Sequence, residues 1–103
     1  MLETFTAETF SPHVGEKFRF FYNPSDALEL VLTSAKELGT ESAKEWSKAS
    51  GRAPFTLTFL GPKELVLPQG SYRVEHANMD AFEIFIVPIG PSQEGMRYEV
   101  IFT

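Results

Sequence analysis

The sequence predicts an all-β domain, a small antiparallel barrel or sandwich of six or seven strands with one short helical turn at its amino end. Three observations carry this reading. Short runs rich in Val, Ile, Phe and Tyr recur along the chain, separated by turns that contain Pro, Gly, Asn or Asp. Within the runs, apolar and polar residues alternate with a period of two, the repeat of a half-buried strand. Aromatic residues make up 14% of the chain, including ten Phe, a share that suits pleated surfaces better than a helical bundle. At 103 residues the chain is one domain, residues 1–103, since half of it would bury too little apolar surface to fold alone.

The elements follow in order. Thr6 is an N-cap residue type with acidic Glu8 in the next turn, Pro12 limits any regular helix, and Gly15 is a stop. A helical turn here would close one end of the barrel or sandwich, with Phe5, Phe10 and Val14 as core contacts. Lys17 to Tyr22 alternates, which points Phe18, Phe20 and Tyr22 inward, and Asn23-Pro-Ser-Asp26 turns the chain. Ala27 to Leu38 fits both a strand and a helical face; the flanking strands and Leu30-Val-Leu-Thr33 favour a strand. Gly39 to Arg52 is polar, holds the sole tryptophan, Trp46, and reads as a long hairpin connection with room for a brief helix at Ser42 to Glu45.

Pro54 to Leu60 alternates cleanly, with Phe55, Leu57 and Phe59 on one face. Leu65-Val-Leu67 reads as a short strand ended by Pro68, and Ser71 to Ala77 as another, with Tyr72, Val74 and His76 sharing a face. Ala81 to Val87 is almost continuously apolar, the pattern of a central strand covered on both faces, with Pro88 at its end. Met96 to Phe102 closes the chain, pointing Met96, Tyr98, Val100 and Phe102 inward. Strands adjacent in sequence are expected to pair, the simplest connection rule.

Composition excludes several function classes. There is no cysteine, so disulfides, thiolate catalysis and cysteine-ligated metal centres are ruled out. The net charge is −5 and the nine Lys and Arg are dispersed, leaving no basic track for a phosphate backbone, so no nucleic-acid partner is expected. Residues 1 to 22 carry no signal-peptide pattern and no apolar stretch approaches the ~20 residues of a membrane span. A soluble, cytoplasmic product with no membrane partner is the expectation.

The residues capable of chemistry form no constellation in the sequence. The two histidines, His13 and His76, would need a third ligand that the spacing does not supply, so neither a metal nor a cofactor is expected. His76 reads as a partly buried ring donating to a neighbouring carbonyl or carboxylate, and His13 as a surface residue. No Gly-x-Ser-x-Gly elbow and no phosphate-binding glycine loop occurs. Glu75, Glu83 and Glu99 alternate outward with Arg73 and Arg97, the pattern of cross-strand ion pairs rather than of a catalytic carboxylate pair. The chain is therefore not expected to be an enzyme.

The segments Leu67-Pro-Gln-Gly-x-Tyr-x-x-Glu-His76, Phe82-Glu-x-Phe85, Val87-Pro-x-Gly90 and Gly95-x-x-Tyr-Glu99 resemble a family of short bacterial proteins described only as a domain of unknown function. Leu2-Glu-Thr-Phe-x-x-x-x-Phe10 and Phe55-x-Leu-x-Phe-x-Gly-Pro62 fit the same family. The motif residues belong to turns and core, so the resemblance implies a fold and no chemistry. It also implies a setting beside phage-tail-collar-like proteins.

Two functional expectations result. The first is a non-enzymatic domain acting through a protein partner or through self-association, as an accessory to a bacterial or phage-tail-like assembly, with Trp46 as anchor and strand edges such as Leu65 to Leu67 open to an added strand. The second is a small-ligand-binding barrel, with Tyr72, His76 and Tyr98 as inward polar handles.

Overall fold

The computed structural model describes residues 5–37 and 54–102. Helix α1 (Ala7–Phe10) continues into a single 3₁₀ turn (Ser11–His13), and six strands follow: β1 (Lys17–Phe21), β2 (Ala27–Glu37), β3 (Phe55–Gly61), β4 (Gly70–His76), β5 (Met79–Pro91) and β6 (Met96–Phe102). All pairings are antiparallel, and the strands close into a barrel in the order β1-β2-β3-β6-β5-β4. The expectations for Trp46 and for Gly39 to Arg52 lie outside the described residues.

Alternation in the sequence becomes inside and outside of the barrel. β3 buries Phe55, Leu57 and Phe59 and leaves Thr56 and Thr58 on the outer side. β1 buries Phe18 and Phe20, β2 buries Leu30 and Leu32, and β6 buries Tyr98, Val100 and Phe102. Eight strands enclose an interior just wide enough for side chains to fill, so six enclose a narrower one, and here it is packed with rings. Phe18 and Phe59 meet edge to face at 5.4 Å, and Phe20 and Phe59 at 5.0 Å. At one end Phe10 of α1 inserts among Phe18, Phe55, Phe82 and Phe102, with centroids 5.9–6.4 Å away, and is wholly buried.

The amino end is held by its own polar groups. Thr6 is the N-cap, its amide donating to Thr9 Oγ1 at 2.9 Å, and Pro12 sits in the 3₁₀ turn, where a missing N–H costs nothing. The Gly15 amide donates to the Leu32 carbonyl and the Leu32 amide to the Glu16 carbonyl, so the segment leaving the turn is stitched to β2 before β1 begins. Val14, expected in the core, is 45% exposed because this stitching points it away from the barrel.

Several expectations are corrected. Pairing is not sequential: β3 and β4 are not neighbours, and the chain crosses the barrel end between them so that β4 pairs with β1 and β6 with β3. Leu65 to Leu67 is not a strand but part of that crossing. Leu67 alone of the three is buried, its amide donating to the buried Tyr98 hydroxyl at 2.9 Å. The ladder therefore has no free edge among the described strands, and the added-strand route is closed. Tyr22 lies past the end of β1 and is 45% exposed, whereas outward Phe21 is sheltered between the guanidinium groups of Arg19 and Arg73, each 5.6 Å from its centroid.

β5 is longer than its apolar run and is not covered on both faces. Phe82, Ile84 and Ile86 are buried while Glu83 and Phe85 are exposed, as a barrel wall with solvent outside requires. Pro88 does not end it. The register slips between Pro88 and Gly90, which leaves Ile89 as the extra residue of a bulge, a place where a proline is tolerated.

The β5–β6 turn is closed by mutual backbone hydrogen bonds of Ser92 and Gly95. Gly95 has φ +151°, and a Cβ there would stand 2.2 Å from the Gly61 carbonyl oxygen, a backbone atom that cannot swing aside. Gly95→Ala is expected to destabilise the fold by about 1–3 kcal/mol, read as a fall in the midpoint of thermal unfolding. An unchanged midpoint would contradict the tight approach of the two strands.

Candidate functional site

One polar cluster stands out at the barrel end closed by the 3₁₀ turn. His13 ends that turn, Glu16 lies one residue before β1, and His76 is the last residue of β4, the strand that pairs with β1. The His76 ring follows the inward phase of β4 and packs 4.4 Å from the Phe18 ring, with 3% of its side chain exposed. An imidazole placed there needs partners for both nitrogens. Nδ1 accepts from the Asn78 backbone amide at 3.1 Å, so Nδ1 bears no proton. The proton is on Nε2, which donates to Glu16 Oε1 at 2.6 Å. His13 Nδ1 donates to the same oxygen at 2.9 Å, and the two imidazole rings are 4.7 Å apart.

Thus the chain's two histidines converge on one carboxylate oxygen. The hydrogen bond from His13, then that from His76, holds the Glu16 carboxyl below the usual carboxylate range against the opposing effect of desolvation. His13 is half-buried rather than on the open surface, and the Glu16 side chain is 44% exposed, so one side of the cluster faces water. His76 does donate to a carboxylate, as the sequence suggested, but the carboxylate is Glu16. Glu75, on the opposite face of β4, instead binds Arg19 across the strand pair at 2.7 Å and Arg73 on its own strand. The expected ion pairs of Glu83, Glu99 and Arg97 do not form among the described residues.

The sequence reading missed Glu16. A usable signal was present in His13-x-x-Glu16, an i,i+3 spacing that brings side chains together on one helical turn. Bringing in His76 needs the β1–β4 pairing, which no local pattern reveals.

The other two proposed polar handles are engaged by backbone. The Tyr98 hydroxyl, fully inside the barrel, accepts the Leu67 amide, and the Tyr72 hydroxyl donates to the Pro68 carbonyl. Burial, and secondarily Tyr98, pushes the Tyr72 phenol upward. These tyrosines fasten the β3–β4 crossing to the barrel. Outside the barrel, an open groove of about 550 Å³ is lined by Lys17, Arg19, Glu29, Glu75 and Asp80 among others. Lys17 faces Glu29 at 4.0 Å and Arg19 binds Glu75, so the groove presents mixed, largely compensated charge.

A third feature is apolar. On the outer side of β5 and β6, Val87 pairs with Glu99. Two residues further along each strand stand Phe85 and Ile101, 50% and 59% exposed. Glu83 and Glu99 border them with no ion-pair partner among the described residues.

Two outcomes test these assignments. Tyr98→Phe strands the buried Leu67 amide and is expected to cost about 1–3 kcal/mol, measured by urea unfolding; a neutral change would show that the crossing is held otherwise. For Glu16, the lowered carboxyl makes its contribution present above the ordinary glutamate range and lost as pH falls through the folded value. The gap in unfolding midpoint between the wild type and Glu16→Gln should therefore be open at pH 7 and close below about pH 4, and the absence of any gap at pH 7 would refute the cluster.

No helix among the described residues is long and apolar enough to cross a membrane. No curated protein and no solved structure matches the chain. Residues 5–102, nearly the whole length and every strand of the barrel, match the family model of the Domain of unknown function (DUF6916), and the chain belongs to that family.

Proposed function

We propose that the chain is a non-enzymatic protein-binding domain, an accessory of a bacterial or phage-tail-like assembly, that docks through the outer face of β5 and β6. The observation that carries this reading is the exposure of Phe85 and Ile101 on the outside of the barrel, each two residues beyond the paired Val87 and Glu99. On the outer side of β1, by contrast, charged residues are paired, Arg19 with Glu75 and Lys17 with Glu29. A large aromatic and a β-branched residue left together on such a wall are a recognition patch in character. The assembly setting rests on the family resemblance.

Glu83 and Glu99 beside the patch, without an ion-pair partner among the described residues, define the occupant: a protein whose apolar surface is rimmed by Lys or Arg, so that carboxylates and cations meet as the apolar groups are buried. The alternative of a small-ligand-binding barrel draws less support. Its handles Tyr72, His76 and Tyr98 are each already engaged, by the Pro68 carbonyl, by Glu16 and the Asn78 amide, and by the Leu67 amide.

The test is capture of partners from native lysate by the wild type and by the Phe85→Ser/Ile101→Ser double variant, with light scattering to separate hetero-association from self-association. The expected result is a partner retained by the wild type, weakened by salt, and bound at least about tenfold less by the variant, equivalent to 1.4 kcal/mol. A strictly monomeric chain without partners, or equal capture by the variant, would remove the reading.

A further inference from the structure

We propose that His13, Glu16 and His76 form a binding site for a divalent late transition-metal ion of the zinc type. One ligand atom from each of the three residues lies within 4.8 Å of the others, and His13 Nδ1 and His76 Nε2 both stand against Glu16 Oε1, at 2.9 and 2.6 Å. Two imidazoles and one carboxylate make a set of three protein ligands that leaves further positions for water, the composition of open zinc sites. Nitrogen donors select such ions over Mg²⁺ and Ca²⁺, which take oxygen ligands. A second observation supports the site: these are the two histidines of a cysteine-free chain, and they come from elements far apart in the sequence to meet at one oxygen.

The ligands are gathered but not at coordination distances. Zn–N and Zn–O lengths of about 2.0–2.2 Å set neighbouring ligand atoms roughly 3.3 Å apart in a tetrahedron. The two N···O separations, 2.9 and 2.6 Å, must open by roughly 0.4 and 0.7 Å to reach that spacing. The Glu16 and His13 side chains are partly exposed, so the adjustment falls on their side-chain torsions, whereas the His76 ring is buried. Chain charge of −5 favours an incoming cation.

Binding also rearranges protons in a defined way. His76 carries its proton on Nε2 because Nδ1 accepts from Asn78. Coordination through Nε2 moves that proton to Nδ1, which then faces the Asn78 N–H, so the Ala77–Asn78 turn must give up this hydrogen bond. His13 likewise shifts its proton from Nδ1 to Nε2. Both rings stay neutral and no proton is lost overall. The cost of the turn opening falls on affinity and makes the site weaker than one whose second nitrogen finds a carbonyl or carboxylate.

The experiment titrates ZnCl₂ into untagged protein by calorimetry, with MgCl₂ as control, and repeats the titration with His13→Gln and Glu16→Gln. In parallel, ¹⁵N spectra of the wild type follow the Asn78 amide and the imidazole nitrogens. Expected are one saturable zinc per chain, no response to magnesium, at least tenfold weaker binding in both variants, a displaced Asn78 amide and a reversed His76 tautomer. Absence of saturable 1:1 binding, unchanged affinity in both variants, or an unmoved Asn78 amide with an unchanged His76 tautomer at zinc saturation would overturn the site. The wild-type spectra decide the question even if a variant folds poorly.

Discussion

Closure of the barrel is the constraint on which the rest depends. Two antiparallel meanders, β1-β2-β3 and β4-β5-β6, would each leave edges; pairing β4 with β1 and β6 with β3 removes them together. These seams join distant parts of the chain, so the loop-closure entropy is recovered only when the interior packs. The aromatic interior supplies that recovery. Phe55 and Phe102, opposite each other across the β3–β6 seam, stack at 4.5 Å with planes 6° apart. Phe20 and Val74, opposite each other across the β1–β4 seam, are both fully buried.

Closure also places the histidines. The β1–β4 seam brings the end of β4 beside the start of β1, which is why a residue near position 76 can reach one near position 16. The His76 ring is buried against Phe18, where water does not reach it, and Glu16 is the group at hand. The same carboxylate then holds His13 and with it the 3₁₀ turn that follows Phe10. A polar contact and an apolar plug thus act on one short segment: Phe10 fills the barrel end and the Glu16 cluster fixes the exit of the chain toward β1.

Local periodicity made most of the fold legible. Alternation identified the inward residues of β1, β3, β4 and β6, and choosing a strand for Ala27 to Leu38 matched β2, Ala27–Glu37, because period two buries Leu30 and Leu32. What could not be read was set by non-local pairing. Leu65 to Leu67 has strand composition, but its neighbours Pro62 and Pro68 and the bond to Tyr98 make it a crossing segment. The continuous apolar run of β5 suggested cover on two faces, and the structure resolves it as a wall with Phe85 outside. The cluster was half legible, in His13-x-x-Glu16, and its other half waited on the register.

Phe85 bears on function because the fold gives no structural reason for it. Ile84 and Ile86 on either side of it supply the inward contacts of β5, and a serine or glutamate at the outward position would keep the alternation that the sheet requires. Glu83 two residues earlier shows that charge is compatible with this row. Hydrophobic burial therefore does not account for an exposed phenylalanine and an exposed isoleucine on the outer wall, while among the described residues the strand edges are consumed by closure and the interior is filled by rings.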